Sequence, residues 1–322
     1  MTAREYSPSS MDAPSTPSGA CISGEQFSIR RGGAEATIAA LAGALRVYRR
    51  DGVDLVESFD AESTPPFASG ILLAPWPNRI AGSVWELDGA PQQLDVTEAA
   101  TGNAIHGLLR NTGYRALAHE THAVTLAAEI FPQHGYGYRL THSARYELDA
   151  DGHLSVTQRL AHHASLGGGP APAALGAHPF LRVGDVPTDE LRLTTSATTF
   201  LPVDAAMIPV GVEDAAGDMD FRGGRTLGGF RTDTAFSGLE LDDDGRYHHR
   251  LEAPDGRGVE LWADATCPYV HIFVTDKFPG REAAIAIEPM TAPANTFNTG
   301  EGLTWLAPGE ELVARWGITS WL

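Results

Sequence analysis

Five side chains able to move a proton or grip an oxygen-rich ligand stand in the sequence beside glycine, proline or an aromatic residue. Arg79 lies in Ala74-Pro75-Trp76-Pro77-Asn78-Arg79-Ile80, and His106 in Asn103-Ala104-Ile105-His106-Gly107-Leu108. His178 lies in Leu175-Gly176-Ala177-His178-Pro179-Phe180-Leu181, Asp233 in Thr232-Asp233-Thr234-Ala235-Phe236, and Glu288 in Ala286-Ile287-Glu288-Pro289-Met290-Thr291. A carboxylate and an imidazole suit general acid–base work, since modest shifts bring either pKa near neutrality. The same residue types also suit a metal, but none has the short ligand spacing of His-x-His or His-Glu-x-x-His, so the pattern predicts no metal site. Taken singly, each has an ordinary explanation: a satisfied strand-end histidine, a salt-bridged arginine, a turn-capping aspartate or a surface glutamate.

The elements that must position these groups read as strands. Ala283–Ile287 alternates Ala and Ile, and Pro289 cannot donate to a ladder, which places Glu288 where a buried strand breaks into a loop. Strand signals follow one another at Phe27–Ile29, Leu45–Tyr48, Val53–Val56, Leu191–Thr195, Tyr269–Thr275 and Leu312–Ile318. Hairpins are predicted at Val84–Leu87 with Pro91–Val96, at Ala144–Leu148 with Leu154–Leu160, and at Arg250–Ala253 with Val259–Trp262. Ala205–Gly229 reads as a long surface excursion. No helix of ten or more residues is expected; Ala36–Ala44 is Ala-rich, but Gly43 and its short length weaken it. Many short strands joined by Gly, Pro and Asp turns indicate an all-β sandwich or barrel. Residues 1–24, rich in Ser, Pro, Thr and Ala, read as a disordered tail, and 25–322 as one domain. His119, His122, His134, His142, His162, His163, His248 and His249 lack such framing and read as surface residues.

Composition narrows the function. A net charge of -18 over 322 residues argues against nucleic acid or an anionic membrane as partner and favours a small ligand. Two cysteines, Cys21 and Cys267, are too few for a disulfide framework. No apolar run is long enough to span a bilayer, and no basic region precedes an apolar core at the N-terminus, so a cytoplasmic protein is expected.

In this order and framing the motifs resemble the aldose 1-epimerase (galactose mutarotase) family, from about Leu45 to Ile318, and most closely the bacterial branch carrying PWPNRI, a His-Gly pair, a His-Pro pair and EPMT. Leu306-Ala307-Pro308-Gly309-Glu310 before the last strand fits as well. The resemblance implies a large antiparallel β-sandwich of the galactose mutarotase-like supersandwich type, with a sugar groove on one face. It implies Glu288 as base and His178 as acid. His106 and Asp233 would hold sugar hydroxyls and the ring region, with Arg79 and its neighbour Asn78 also binding substrate. Trp76, Phe180 and Phe273 are candidates to pack on the sugar, although Phe273, alternating with Tyr269 and His271, reads as core. One departure concerns Pro293-Ala294-Asn295, where family members often carry Asp.

The implied reaction interconverts the α- and β-anomers of a free hexose or related aldose and needs no cofactor. The base takes the C1 hydroxyl proton, the acid protonates the ring oxygen, the ring opens, C1–C2 rotates, and the ring closes on the other face. A bell-shaped pH profile is expected, with Glu288 on the lower limb and His178 on the upper. The partner would be a monosaccharide, with monomer and homodimer both open. Two alternatives remain: a hexose-6-phosphate epimerase, which would need clustered Arg or Lys, and a non-catalytic carbohydrate-binding protein, which would lose the acid or the base.

Overall fold

Residues 21–322 are described in the computed structural model. Most of the stretch read as a tail, residues 1–20, lies outside the described residues. Its last four residues belong to the folded body. Ser23 is buried; its N–H and hydroxyl both donate to the Ala61 carbonyl, at 3.0 and 2.8 Å, and its own carbonyl accepts from Leu41 N–H at 2.9 Å. A run of small polar residues reads alike whether it is loose or tied to a strand end.

Among the described residues the architecture is almost wholly antiparallel sheet, and the sole α-helix is the single turn Thr296–Thr299. A nine-stranded sheet runs in the order Arg115–His119, Ala123–Ile130, Tyr138–Leu148, Leu154–Ser165, Glu311–Trp321, Gly258–Asp264, Arg246–Glu252, Arg192–Thr195, Arg225–Thr226. The eight-stranded sheet runs Glu213–Asp214, Thr199–Leu201, Thr232–Ser237, Tyr269–Thr275, Ala284–Met290, Gly176–Ala177, Leu72–Leu73, with Phe180–Leu181 also paired to Ala284–Met290. A four-stranded meander covers Gln26–Asp54. One apolar cluster joins the sheets, drawing on Leu140, Val156, Leu261 and Trp316 from the first and Ile272, Ile285 and Ile287 from the second. Each such aliphatic side chain taken from water contributes about 1.5–3 kcal/mol.

Strict alternation explains both the sheets and one correction. Tyr138, Leu140, His142, Ala144, Tyr146 and Leu148 all point inward, as do Leu154, Val156, Gln158, Leu160 and His162, and Tyr247, His249 and Leu251. His142, His162 and His249, read as surface residues, are therefore buried. Each finds one partner through Nδ1: Tyr114 Oη at 2.7 Å, the Leu306 carbonyl at 2.8 Å and Thr195 Oγ1 at 2.9 Å. Burial pushes His142 down to about 4 and His249 to about 3, which keeps both neutral. Ala34–Ala39 and Ala123–Ile130, which carried no strand signal in the sequence reading, are strands despite their alanine content, because their neighbours bury them.

Glu288 does not end its strand. Pairing with Tyr269–Thr275 continues through Pro289 and Met290. Ile287 N–H bonds the Pro179 carbonyl and Thr291 N–H the Leu175 carbonyl, so position 289 would donate to that same side. There the neighbouring strand is interrupted, ending at Ala177 and resuming at Phe180, so the proline costs no ladder bond.

A chain beginning at Cys21 should melt several degrees above one beginning at Glu25, because the shorter chain loses Ser23 and its buried hydrogen bonds, worth about 1 kcal/mol each. Calorimetry of the two chains checks this; equal Tm values would show that Ser23 contributes nothing.

Candidate active site

One face of the eight-stranded sheet carries most of the polar cluster. His271 lies directly opposite Glu288, Phe273 opposite Ala286, and Asp233 opposite Phe273, so period 2 places all of them on one side. The other side takes Ile272, Ile285 and Ile287 into the main core. The Ala–Ile alternation thus divides the work: isoleucines fill the core, while Ala284 and Ala286 leave room beneath Phe180 and Phe278. His178 enters from the interruption between Gly176–Ala177 and Phe180–Leu181. Its ring stacks on Phe180, with centroids 5.4 Å apart, and meets His106 edge-on at 5.3 Å. His178 Nε2 and Glu288 Oε1 approach to 3.3 Å.

Two backbone segments are fastened over this face. Arg79–Ile80 pairs with Ala104–Ile105, and His106 N–H donates to the Asn78 carbonyl at 2.8 Å. Asn78 and His106 both adopt left-handed backbone conformations, with φ of 53° and 63°. Gly107 follows at φ 74°, so close to Ala74 that a Cβ there would stand 2.1 Å from its carbonyl oxygen. Asn295 closes the assembly: its N–H donates to the Arg79 carbonyl at 2.6 Å and its Oδ1 accepts from Ala81 N–H at 3.1 Å.

The cleft so formed has a volume of about 310 Å³, at the lower end for small-molecule sites, and is lined by Phe67, Asn78, Arg79, Glu98, His106, Arg110, His178, Asp233, His271, Phe273 and Glu288 among others. Burial raises the Glu288 pKa to about 8, with Asp233 adding to the rise and His271 and Arg79 opposing it. Burial, reinforced by His271, lowers His178 to about 3 and holds His106 well below its ordinary value. Asp233, although burial opposes ionisation, is held down to about 2 by its 2.6 Å hydrogen bond from His271 Nε2 and by nearby Arg79. Glu288 and Asp233 both pull His271 towards the imidazolium against its burial. The Asn78 amide pulls the other way. Its oxygen is fixed on Arg79 N–H at 2.9 Å, so only its NH₂ can face His271 Nδ1, at 3.3 Å. An imidazolium would set N–H against N–H there, so this contact offsets part of the carboxylates' pull, and the balance still lies above the ordinary imidazole pKa.

The sequence model of the family described as aldose 1-epimerase matches residues 25–319. The chain belongs to this family. Its sequence is 29% identical over 289 residues to the uncharacterized protein YihR of Escherichia coli K12, covering 89% of this chain and 91% of that one. The fold is similar to a galactose mutarotase-like protein of Clostridium acetobutylicum, with a TM-score of 0.79 and 18% identity, over 91% of this chain and 94% of that one. It is also similar to the C. elegans GalM/aldose epimerase homologue, with a TM-score of 0.78 and 19% identity, over 92% and 98% of the two chains. For the galactose 1-epimerase of Lactobacillus acidophilus the values are 0.74, 18%, 91% and 92%.

In this aldose 1-epimerase family member all six sequence-predicted site residues, Asn78, Arg79, His106, His178, Asp233 and Glu288, line one cleft. Arg79 is more heavily engaged than expected, because its Nε and Nη2 grip both oxygens of Glu98 at 2.8 and 2.9 Å. Trp76 is buried in the core and does not line the cleft, and Phe180 supports His178 from behind. Phe273 does line it, together with Phe67, which the sequence reading missed. His271 was taken as part of a core alternation. The alternation is real, but its face is the cleft, which only the register opposite Glu288 reveals. Glu98 and Arg110 carried no local framing that marked them. At Asn295, where the family often has Asp, the side chain serves as an acceptor for the Ala81 N–H, a task either residue type can perform.

Gly107→Ala should lower kcat at least about 10-fold while the chain still folds, because the added methyl forces apart the segments that carry Asn78 and His106. Steady-state kinetics beside a melting curve checks this; unchanged kcat in a folded variant would show that the close approach does not set the site.

Proposed function

We propose that this protein is an aldose 1-epimerase, interconverting the α- and β-anomers of a free aldose by general acid–base ring opening and closure. The observation that carries the reading is the 3.3 Å approach of His178 Nε2 to Glu288 Oε1, with both side chains nearly sealed from solvent inside a sugar-sized cleft. Glu288 Oε2 and His178 Nδ1 make no hydrogen bond to protein. Buried polar atoms of this kind are costly unless a ligand meets them.

Between pH of about 3 and about 8 the pair carries one exchangeable proton. That proton lies mainly on Glu288, with a minor form in which the carboxylate faces an imidazolium. The two forms contain the same number of protons, so interconverting them requires no exchange with solvent. The carboxylate–imidazolium form is the reactive one: Glu288 takes the C1 hydroxyl proton and His178 protonates the ring oxygen, releasing the aldehyde. After rotation about C1–C2 the transfers reverse and the ring closes on the other face. Asn78, Arg79, His106 and Asp233 hold hydroxyls, and Phe67 and Phe273 cover the sugar's apolar surface. A carbohydrate-binding protein without catalysis would have no use for an acid and a base so closely apposed.

Glu288→Gln and His178→Asn should each lower kcat by about 10²-fold or more, and the double variant should be little worse than the slower single, because the two act as a unit. For the parent, kcat/KM should fall as pH rises through about 8, since loss of the shared proton leaves a base with no acid. This reverses the sequence-based assignment: Glu288, not His178, governs the upper limb. Polarimetry of freshly dissolved α-aldoses checks all three. A folded Glu288→Gln variant at near-parental rate would overturn the mechanism.

A further inference from the structure

The stretch Ala205–Gly229, which the sequence presents as a surface excursion, touches the framework of the cleft at Asn103. The Ala206 carbonyl accepts a hydrogen bond at 2.8 Å from Nδ2 of that fully buried side chain. The amide's orientation is fixed. Its Oδ1 accepts from Gly82 N–H at 3.0 Å, so its two N–H bonds go to Ala206 and to Thr101 Oγ1, the latter at 2.9 Å. Thr101 then gives its one proton to Glu98 Oε2. Glu98 in turn holds Arg79 through both carboxylate oxygens. The donors all point one way, towards the carboxylate. Burial opposes its ionisation, but hydrogen bonds from Arg79 and Thr101 hold Glu98 below the usual carboxylate range.

At the far end of this path stands a turn that fixes itself. Asp204 Oδ1 accepts from the N–H groups of Ala206 and Ile208 at 2.9 and 3.0 Å, and Asp204 N–H donates to the Ile208 carbonyl at 2.9 Å. The turn, Asn103 and Thr101 lie outside the lining of the cleft, whereas Glu98 and Arg79 belong to it. A long guanidinium side chain has many rotamers to lose, and a carboxylate held in place removes most of that freedom before a ligand arrives.

We propose that Asn103 and Thr101 are positioning residues for Arg79, and that through them the turn Asp204–Ile208 sets how tightly the cleft holds its sugar. The proposal rests on Arg79 binding substrate, as in the epimerase reading. Arg79 meets hydroxyls in the ground state and the transition state alike, so loosening it raises KM and leaves kcat nearly unchanged.

The test is mutarotation by the full chain over a range of α-aldose concentrations, followed by polarimetry, with the sugar's Kd measured by calorimetry on the same samples. Thr101 is half-buried, and Thr101→Val keeps its shape while removing the hydroxyl. This variant should raise KM and Kd about 3- to 10-fold, the loss of one hydrogen bond, and Thr101→Ser should stay near the parent. The pH dependence separates positioning from mere support. The Glu98 clamp is present above its depressed pKa and is lost as pH falls through it. Without the Thr101 hydroxyl that pKa rises, so on acidification KM of Thr101→Val should climb at a higher pH than the parent's. Asp204→Ala, in the exposed turn, should raise KM about 3-fold. Combined with Thr101→Val it should add nothing, since both act along one path. A Thr101→Val variant with unchanged KM and unchanged pH dependence, whatever its Tm, would overturn the proposal. An Asp204→Ala effect that is absent from the parent, or that multiplies the effect of Thr101→Val, would overturn the role of the turn. A parent that accelerates no aldose, with the same pattern in Kd, would sink the epimerase reading and support the positioning.

Discussion

Burial of the Glu288 carboxyl is the constraint on which the rest of the site depends. The carboxyl sits in the middle of a sheet, opposite His271, where an ionised group has little water to solvate it. Its surroundings divide accordingly. His271 lies across the ladder, His178 approaches from the break in the neighbouring strand, and Arg79 stands further off between Glu98 and Asp233. Burial raises the carboxyl's proton affinity and lowers that of the imidazole beside it. A proton that would rest on histidine in water rests on the carboxyl here. A transfer between the two then needs only the redistribution of charge that a bound sugar can drive.

The backbone is shaped to the same end. Left-handed residues at Asn78 and His106 turn the chain where side chains face the cleft, and Asn295, also left-handed, ties down the Arg79 segment; each is joined by hydrogen bonds to another segment. Such conformations cost about 1–3 kcal/mol at non-glycine residues and persist where the surroundings over-determine them. Gly107 pressed against Ala74 shows how little slack remains between the two segments. The chain thus spends stability on orientation at the cleft and recovers it in the apolar cluster between the sheets.

Much of this was legible in the sequence. Tyr269–Thr275 is found with the bounds its aromatic and β-branched residues suggested, and six residues that lie in short framed motifs, from Asn78 to Glu288, meet in one cleft. What was not legible depended on register. His271 looks like any polar residue in an alternating strand until its cross-strand neighbour is known to be Glu288. His142, His162 and His249 hide on inward positions where Tyr114, the Leu306 carbonyl and Thr195 satisfy them. The strand containing Glu288 runs through a proline because the facing strand is broken at His178 and Pro179, a gap that local propensity cannot reveal. The order of the two pKa values, opposite to that in water, follows chiefly from burial.

The central claim is that the cleft moves protons on a bound sugar and does not merely hold it. Magnetisation transfer by NMR on an aldose labelled with ¹³C at C1, at anomeric equilibrium, tests this without a coupling enzyme. The account predicts α-to-β exchange whose rate rises in proportion to the protein added. Broadened sugar resonances that report binding, with no exchange between the anomers beyond that in buffer, would contradict it.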